Sequence, residues 1–566
     1  VRISSLDLGI VIGYVALSLL VGLYFSRKAT QSVDHYFVGN RSLPWWLAGT
    51  SMIASAFSID TPFGIAGYVA KHGISGVWFA WAFAIGGAGT FGAFIFAPLL
   101  RRSNIITTAE LVELRYSGKG AAALRAFKGV YFGILSLSIS MGWVIRSVVL
   151  VSQEALGWDI VPTLVVVITV TILYTTAAGF IGVAVTDVAQ FFIGSIGSVA
   201  LAYFALKSIG GTEALFVGLG ERFGASRAEE ILHFIPRPSS GFFPTFIVFV
   251  TLKWWGNPPA AINQRLMSTK DERHATFATL SFAIVHFAMN YWPMIVAALV
   301  SLVAYPQLPL AKAEQGYALL LLDVLPNGLL GIALASLVAG FMSTIDTQAN
   351  TGASFMVNDL YRRFFRRKAT EKHYVRVSQI CTILMLGIAV FAAYFMTSVK
   401  EAWDYLALLT AGYGFVVVAR WFWWRINAWA EMAALAGSGV GSILANKVFT
   451  LSTFGDRFLV VAAISTTSWV LVSLLTQPPE LESLAKFCRA VRPYPAFWGP
   501  VRRAYPDIQW SENLLRNMLL WAVGIVCAFS VCFGIGHLIL GTFSLGWQLL
   551  FLAGFAVAIL LKTWRP

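Results

Sequence analysis

The run Gly340-Phe-Met-Ser-Thr-Ile-Asp-Thr-Gln-Ala-Asn350 places hydroxyls at Ser343, Thr344 and Thr347 and a carboxylate at Asp346 within roughly one helical turn of an otherwise apolar stretch. Oxygen donors at that spacing suit a hard cation such as sodium, with unwound backbone carbonyls opposite to complete the shell. Back-bonding of Ser and Thr to preceding carbonyls accounts for the hydroxyls alone. It leaves Asp346 unexplained, because a carboxylate in lipid costs several kcal/mol unless it is paired or functional. Asp187, which follows Thr186 at the start of another apolar stretch, raises the same question. A cation shared by Asp187 and Asp346 answers both.

Two interruptions supply candidate carbonyls and a pocket. Ala54-Ser-Ala-Phe-Ser-Ile-Asp-Thr-Pro-Phe-Gly64 breaks one apolar segment at Asp60, Pro62 and Gly64, and Lys253-Trp-Trp-Gly-Asn-Pro-Pro259 breaks another five segments later. A single break reads equally well as a kink. Paired breaks at corresponding places in two halves point to a midplane binding site between repeats. The pocket candidates are therefore Asp60, Thr61, Lys253, Trp254, Trp255 and Asn257. Trp254 and Trp255 fit a pocket wall and a lipid-interface anchor equally, and Lys253 fits a carboxylate receiver or a snorkelling side chain.

The elements that must position these residues are membrane helices. The 566-residue chain is 58% hydrophobic and only 12% charged, with a mean hydropathy of +0.73. No soluble core needs that much apolar surface. About fifteen segments approach or exceed the length that crosses a bilayer. They cover 6–25, 45–68, 77–100, 127–153, 161–178, 187–206, a conspicuously short 243–255, 277–305, 329–357, 374–396, 403–419, 428–448, 458–475, 514–540 and 545–561. An outside N-terminus and a cytoplasmic C-terminus put most of the 41 Lys and Arg in cytoplasmic loops, the richest being 101–128, 362–376 and 477–513. The net charge of +14 follows from that bias and does not call for nucleic acid. The partners are the lipid bilayer and a small polar solute. The four cysteines have no metal or disulfide spacing, and no phosphate loop or nucleophile elbow marks an enzyme.

Gly39-Asn-Arg-Ser-Leu-Pro-Trp-Trp46, the Ala/Ser-rich helix after it, Thr186-Asp-Val-Ala-Gln190, Gln264-Arg265 with Lys270, and Ser343-Thr344 followed by Asn358-Asp-Leu-Tyr361 together resemble the sodium:solute symporter family. Sodium/glucose, sodium/proline and sodium/sialic acid cotransporters belong to that family, and the resemblance covers about the first 425 residues. It implies an all-α polytopic membrane protein with a LeuT-type five-plus-five inverted repeat, one extra N-terminal helix and about four extra C-terminal helices. The expected divisions are 1–44 for the N-terminal helix and loop, 45–208 for the first repeat, 209–242 for an external loop and 243–425 for the second repeat. Two accessory helices at 426–476, a cytoplasmic loop at 477–513 and two C-terminal helices at 514–566 follow. A bacterial inner membrane is implied, as is sodium as the coupling ion, with no organic cofactor.

Carried onto this chain, the family's main sodium site implies carbonyls of Ala54, Phe57 and Gly340 with the hydroxyls of Ser343 and Thr344. A second cation site found in some members implies Asp187, Ser343, Asp346 and Thr347, with Asp346 where those members have a hydroxyl. The match to hexose carriers fails at Ala80, Phe83 and Ala407, where sugar-binding polar residues are expected. Proton coupling through Asp187 and Asp346, or solute sensing without transport, stand as alternatives. His286 and Asn290, four residues apart, read first as interhelical hydrogen-bonding groups, and Gly86, Gly87, Gly89 and Gly92 as a close-packing face. Arg420-Trp-Phe-Trp-Trp-Arg425 reads as an interfacial anchor.

Overall fold

The computed structural model describes residues 3–29, 41–255, 260–396, 398–511 and 514–563, and it is a bundle of helices. Among the described residues ten helices are long and apolar enough to cross a membrane, and an eleventh span is the bent pair Val399–Leu409 and Tyr413–Phe422. Ser5–Ser18, Ile160–Thr169 and Phe243–Trp255 are apolar but shorter. The expected spans 161–178 and 187–206 form one unbroken helix, Ile160–Ile209. The sequence between them offers Gly179 and Gly182 but no proline and no capping side chain strong enough to stop a helix.

The second span is broken as expected. Trp45–Ala56 ends where Phe57 donates the last ladder hydrogen bond to Ile53, and a new helix, Asp60–His72, begins three residues later. Pro62 lies in the first turn of that second half-helix, where its missing N–H removes no hydrogen bond. The ninth span, Leu329–Ser354, is anchored from the first helix. Buried Asp7 accepts the N–H groups of Gly328 and Gly331, both at 2.7 Å, and so caps the helix N-terminus with a carboxylate. Leu329–Ser354 packs along Ile160–Ile209, with the first helix against both.

Two further departures from α-helix stand in corresponding spans of the expected repeats. Ala82–Phe96 in the third span and Phe282–Asn290 in the eighth are π-helical, a conformation that concentrates at functional sites. In the first, the glycine face receives the second broken helix. A Cβ on Gly87 would stand 1.8 Å from the Trp254 carbonyl, so only glycine permits the approach.

Within the segment expected as a long loop, 477–513, residues 477–511 are folded. Helices Leu481–Val491 and Gly499–Ala504 bury Leu484, Phe487, Cys488, Val491, Trp498 and Val501 against Leu99, Leu100, Leu111 and Trp421. Arg115 is clamped beneath this cap, its guanidinium 4.9 Å from the Trp498 ring and 5.4 Å from the Phe487 ring. Trp498 donates to the Trp421 carbonyl at 3.2 Å. The 420–425 aromatic run is therefore largely covered by protein. Its first residues, Arg420 and Trp421, are buried, Arg420 pairing with Glu431 at 3.2 Å, so interfacial anchoring is not their role.

Candidate functional site

Helix geometry creates the acceptors at the first break. Past the Phe57-to-Ile53 bond, the carbonyls of Ala54, Ser55 and Ala56 lie beyond the last ladder donor of Trp45–Ala56. Ser55 O accepts the Thr344 hydroxyl at 2.9 Å and Ala56 O accepts the Thr61 hydroxyl at 3.3 Å. Leu329–Ser354 crosses this break at backbone contact distance, because a Cβ added to Gly340 would meet the Phe57 carbonyl at 2.6 Å. Ala54, Phe57, Gly340, Ser343 and Thr344 are all buried. Of the residues expected for the main cation site, Gly340 meets the Phe57 carbonyl at the backbone and Thr344 bonds the Ser55 carbonyl, while the Ser343 hydroxyl is turned towards Asp187 at 2.6 Å.

Asp187 has a different partner from the one the sequence suggests. Its carboxylate accepts from Ser343, from Ser51 and from the guanidinium of Arg265, the last at 3.2 Å. Arg265 also donates to Ser51 Oγ at 2.6 Å and to the Thr347 hydroxyl, which lies 3.1 Å from Ser55 Oγ. Of the positions expected to hold a second cation, Asp187 and Thr347 therefore bind a fixed cationic side chain. Asp187 and Arg265 are 0% and 1% exposed, so this is a fully desolvated ion pair held by surrounding hydroxyls. Asp346 is buried on the adjoining turn.

The pocket candidates divide. Asp60 is buried, and its Oδ2 accepts the Trp403 indole N–H at 3.1 Å. Trp403 stacks with Phe79 at 6.3 Å between ring centroids, and Phe79 stacks on Tyr68 at 4.6 Å. Lys253 joins this layer from the second break. Its ammonium donates to the Phe79 carbonyl and lies 3.0 Å from the centre of the Phe79 ring. Trp254 and Trp255 face elsewhere: Trp254 seats on the glycine face of the third span, and both indoles neighbour Trp521 of Leu514–Ile539. Asn257 lies outside the described residues. Ala80 and Ala407 are partly buried apolar neighbours of the same core as Trp403.

Above the aromatic layer lies a cavity of about 520 Å³, lined by Tyr68, Lys71, Phe249, Lys400, Asp404 and Arg457 among others. A latch closes its floor. The Tyr68 hydroxyl donates to Asp404 Oδ1 at 2.5 Å, and Lys400 holds Oδ2 of the same carboxylate at 2.6 Å. Glu314 accepts the Lys400 N–H at 3.1 Å and the Ser398 hydroxyl at 3.0 Å, fixing the start of Val399–Leu409. Removing the Tyr68 hydroxyl (Tyr68→Phe) deletes one hydrogen bond to a charged acceptor, worth about 1.5–3 kcal/mol. A cysteine substituted at Ala407 in a cysteine-free background is expected to label roughly tenfold faster in Tyr68→Phe, the low end of that range. Unchanged labelling would show that the latch does not hold the path shut.

Sequence reasoning missed Arg265 as an occupant, Ser51 as its support, and Trp403 and the Tyr68–Asp404–Lys400 latch. Arg265 appeared only as part of a motif, and nothing local marks a residue 78 positions from Asp187 as its partner.

Comparison with known proteins bears on the family and the fold. The family model described as the sodium:solute symporter family matches residues 36–441. The chain is 25% identical over 482 residues to sodium/glucose cotransporter 4 of Danio rerio, covering 78% of this chain and 71% of that one. It is 26% identical over 464 residues to the sodium/glucose cotransporter of Vibrio parahaemolyticus, covering 77% and 84%. Among solved structures, a sodium-coupled sialic acid symporter in a substrate-bound outward-open state superposes with a TM-score of 0.71, at 22% identity, over 84% of this chain and 99% of that one. A nucleobase-cation-symport-1 family transporter in a closed conformation superposes with a TM-score of 0.50, at 15% identity, over 80% and 97%. The fold is thus the LeuT-type helical architecture of membrane symporters. With its family model spanning most of the sequence, this chain belongs to the sodium:solute symporter family, and is an integral membrane, sodium-coupled symporter rather than an enzyme.

Proposed function

We propose that the protein takes up a small polar organic solute, not a hexose, by alternating access coupled to one sodium ion. Sodium binds between the carbonyls of Ala54, Phe57 and Gly340 and the hydroxyls of Ser343 and Thr344, bridging the broken second span to the ninth. Holding those two elements together orders the pocket at Asp60 and raises solute affinity, and the coupling is reciprocal. The observation that supports the reading is the backbone-close crossing at Gly340 and Phe57, beside which Thr344 bonds a helix-end carbonyl, that of Ser55. The poor fit to a hexose rests on Ala80, Phe83 and Ala407, which offer a sugar no hydrogen-bonding side chain.

A single sodium is favoured because Arg265 already supplies a cation to Asp187 and Thr347. The membrane is a bacterial inner membrane, with repeats at 45–208 and 243–425. Reconstituted into potassium-loaded vesicles, the protein is expected to accumulate solute only under an inward sodium gradient, with a Hill coefficient for sodium near one. A coefficient approaching two would return a sodium ion to the second site, and accumulation driven equally by a proton gradient without sodium would overturn sodium coupling.

A further inference from the structure

The cap formed by residues 481–511 bridges two groups of helices at the end of the molecule opposite the cavity. The broken second span shows which end that is. Ala48 and Met52, near its start, sit in the same apolar cluster as Leu484, Phe487 and Trp498, whereas Tyr68 and Lys71, near its finish, line the cavity.

One side of the cap is fastened by charge and by the chain itself. Arg102, the last residue of Ala97–Arg102 in the third span, makes two 2.6 Å bonds to Glu272 at the start of the eighth. Its remaining nitrogen donates to the Ser511 hydroxyl at 2.6 Å and to the Arg492 carbonyl at 3.3 Å. Three residues after Ser511 begins Leu514–Ile539, which packs on the π-helical stretches of both spans and donates the Trp521 indole to the Gly86 carbonyl at 3.0 Å. Third span, eighth span, cap and C-terminal helix are therefore one fastened group.

The other side rests on ring faces. The cap presents Phe487 to Trp421 at 5.7 Å between ring centres and Tyr494, nearly parallel, to Phe422 at 6.1 Å. Arg115 belongs to the far side of this seam: its guanidinium donates to the carbonyls of Arg420 at 3.2 Å and Trp423 at 3.0 Å, and it meets the cap through the Phe487 and Trp498 rings. Glu431 ties that side to the fourth and twelfth spans by pairing with Lys128 at 2.8 Å and Arg420 at 3.2 Å. Trp498 to the Trp421 carbonyl at 3.2 Å and the Trp424 N–H to the Phe497 carbonyl at 3.5 Å add two neutral hydrogen bonds across the seam. Ring contacts and neutral bonds of that length are weaker than a bidentate ion pair, so of the two sides this one parts first. The turns that present the rings are strained. Arg492 and Phe497 hold left-handed backbone at φ 52° and 61°, which persists where surrounding contacts impose it and which gathers in switching segments.

Resting on the alternating-access reading above, we propose that residues 481–511 are a clasp on the end opposite the cavity: fastened to the third and eighth spans through Arg102, it closes on the eleventh span through Phe487, Tyr494 and Trp498, and this aromatic seam parts when the pocket opens to that end. The arrangement that gathers the sodium groups is the one in which the clasp is closed, so sodium binding favours closure by linkage. Cys488 is a native reporter of the seam. It lies on Leu481–Val491, buried and near Arg115, and burial pushes its thiol up to about 12, so it does not react while the seam is shut.

The test is the rate at which a water-soluble maleimide labels Cys488 in the purified full-length protein with Cys381, Cys527 and Cys532 replaced by Ala, in sodium and in choline at constant ionic strength. An ion that bound the closed state alone would lower the open fraction about a hundredfold at a hundred times Kd, and sodium is expected to slow labelling at least tenfold. The slowing is expected to vanish in Ser343→Ala/Thr344→Ala, which local fraying of the cap would not produce. A thiol on the fastened side, Ser511→Cys with Cys488→Ala, is expected to label at the same rate in both salts. Equal labelling of Cys488 in sodium and choline, in a protein whose melting midpoint sodium still raises, would overturn the clasp and leave sodium symport standing. So would slowing that persists undiminished in the double variant, or equal slowing at Ser511→Cys, which would put the parting on the Arg102 side. A melting midpoint that sodium leaves unchanged would instead overturn the sodium reading beneath the proposal, and the clasp as stated with it.

Discussion

Replacing Ser343 and Thr344 together by Ala is expected to abolish sodium stimulation of solute uptake in a protein that still folds and inserts. The two hydroxyls are two of the five oxygens assigned to the ion, and a hard cation binds in proportion to how many oxygens it can gather. Losing both is expected to weaken sodium at least a hundredfold, about 2.7 kcal/mol. The fold loses less. Ser343 gives up one hydrogen bond to Asp187, which keeps Ser51 and Arg265, and Thr344 gives up one to the Ser55 carbonyl. Such bonds contribute about 0.5–1.5 kcal/mol each, or up to 3 to a charged acceptor. Uptake at saturating sodium, with midpoint melting as the folding control, checks the result. Normal sodium dependence in the double variant would remove the ninth span from the ion site.

Replacing Arg265 by Met is expected to destabilise the protein by about 3–5 kcal/mol, because it strands the Asp187 carboxylate in a fully buried site. The pair is 3.2 Å apart with both side chains at 1% exposure or less, so nothing screens it. The double variant Arg265→Met with Asp187→Asn is expected to recover most of that loss, since it removes the stranded charge as well. Chemical denaturation in detergent measures both, and equal stabilities for wild type and Arg265→Met would mean that the pair is not buried as described. The same variant tests the sodium count. With the guanidinium gone, Asp187 and Thr347 lose their cationic partner, and sodium is expected to stabilise Arg265→Met more steeply than wild type.

Both expectations bear on what could be read from the chain alone. Asp60, Pro62 and Gly64 forecast the broken second span because each is unsuited to an apolar helix interior in its own way. The Ser343 to Thr347 patch was legible because hydroxyls and a carboxylate on one turn of a membrane helix need a reason. The partner of Asp187 was not legible. Arg265 belongs to another span, and only the three-dimensional crossing shows that a side chain, rather than a bound ion, faces that carboxylate. Trp403 was missed for a related reason. In sequence it is one of many aromatics near a span end, and only its 3.1 Å bond to Asp60 gives it a role in the pocket. Trp254 and Trp255, next to a proline-rich break, looked like pocket walls, but close packing on Gly86 and Gly87 and contact with Trp521 turn them away. The 477–513 segment reads as a cytoplasmic loop because prolines and charged residues interrupt any long apolar run. Its fold rests on a minority of residues, Phe487, Trp498 and Val491 among them, whose apolar contacts lie on distant helices.

Sodium coupling at the first break is tested most directly by the melting midpoint of the solute-free protein as sodium replaces choline at constant ionic strength. A single site raises stability as RT ln(1 + [Na+]/Kd), about 2.7 kcal/mol at a hundred times Kd. Saturable stabilisation by sodium in wild type, and none in the Ser343→Ala/Thr344→Ala protein, is the predicted result. Identical midpoints in sodium and choline, or an undiminished sodium response in the double variant, would contradict it.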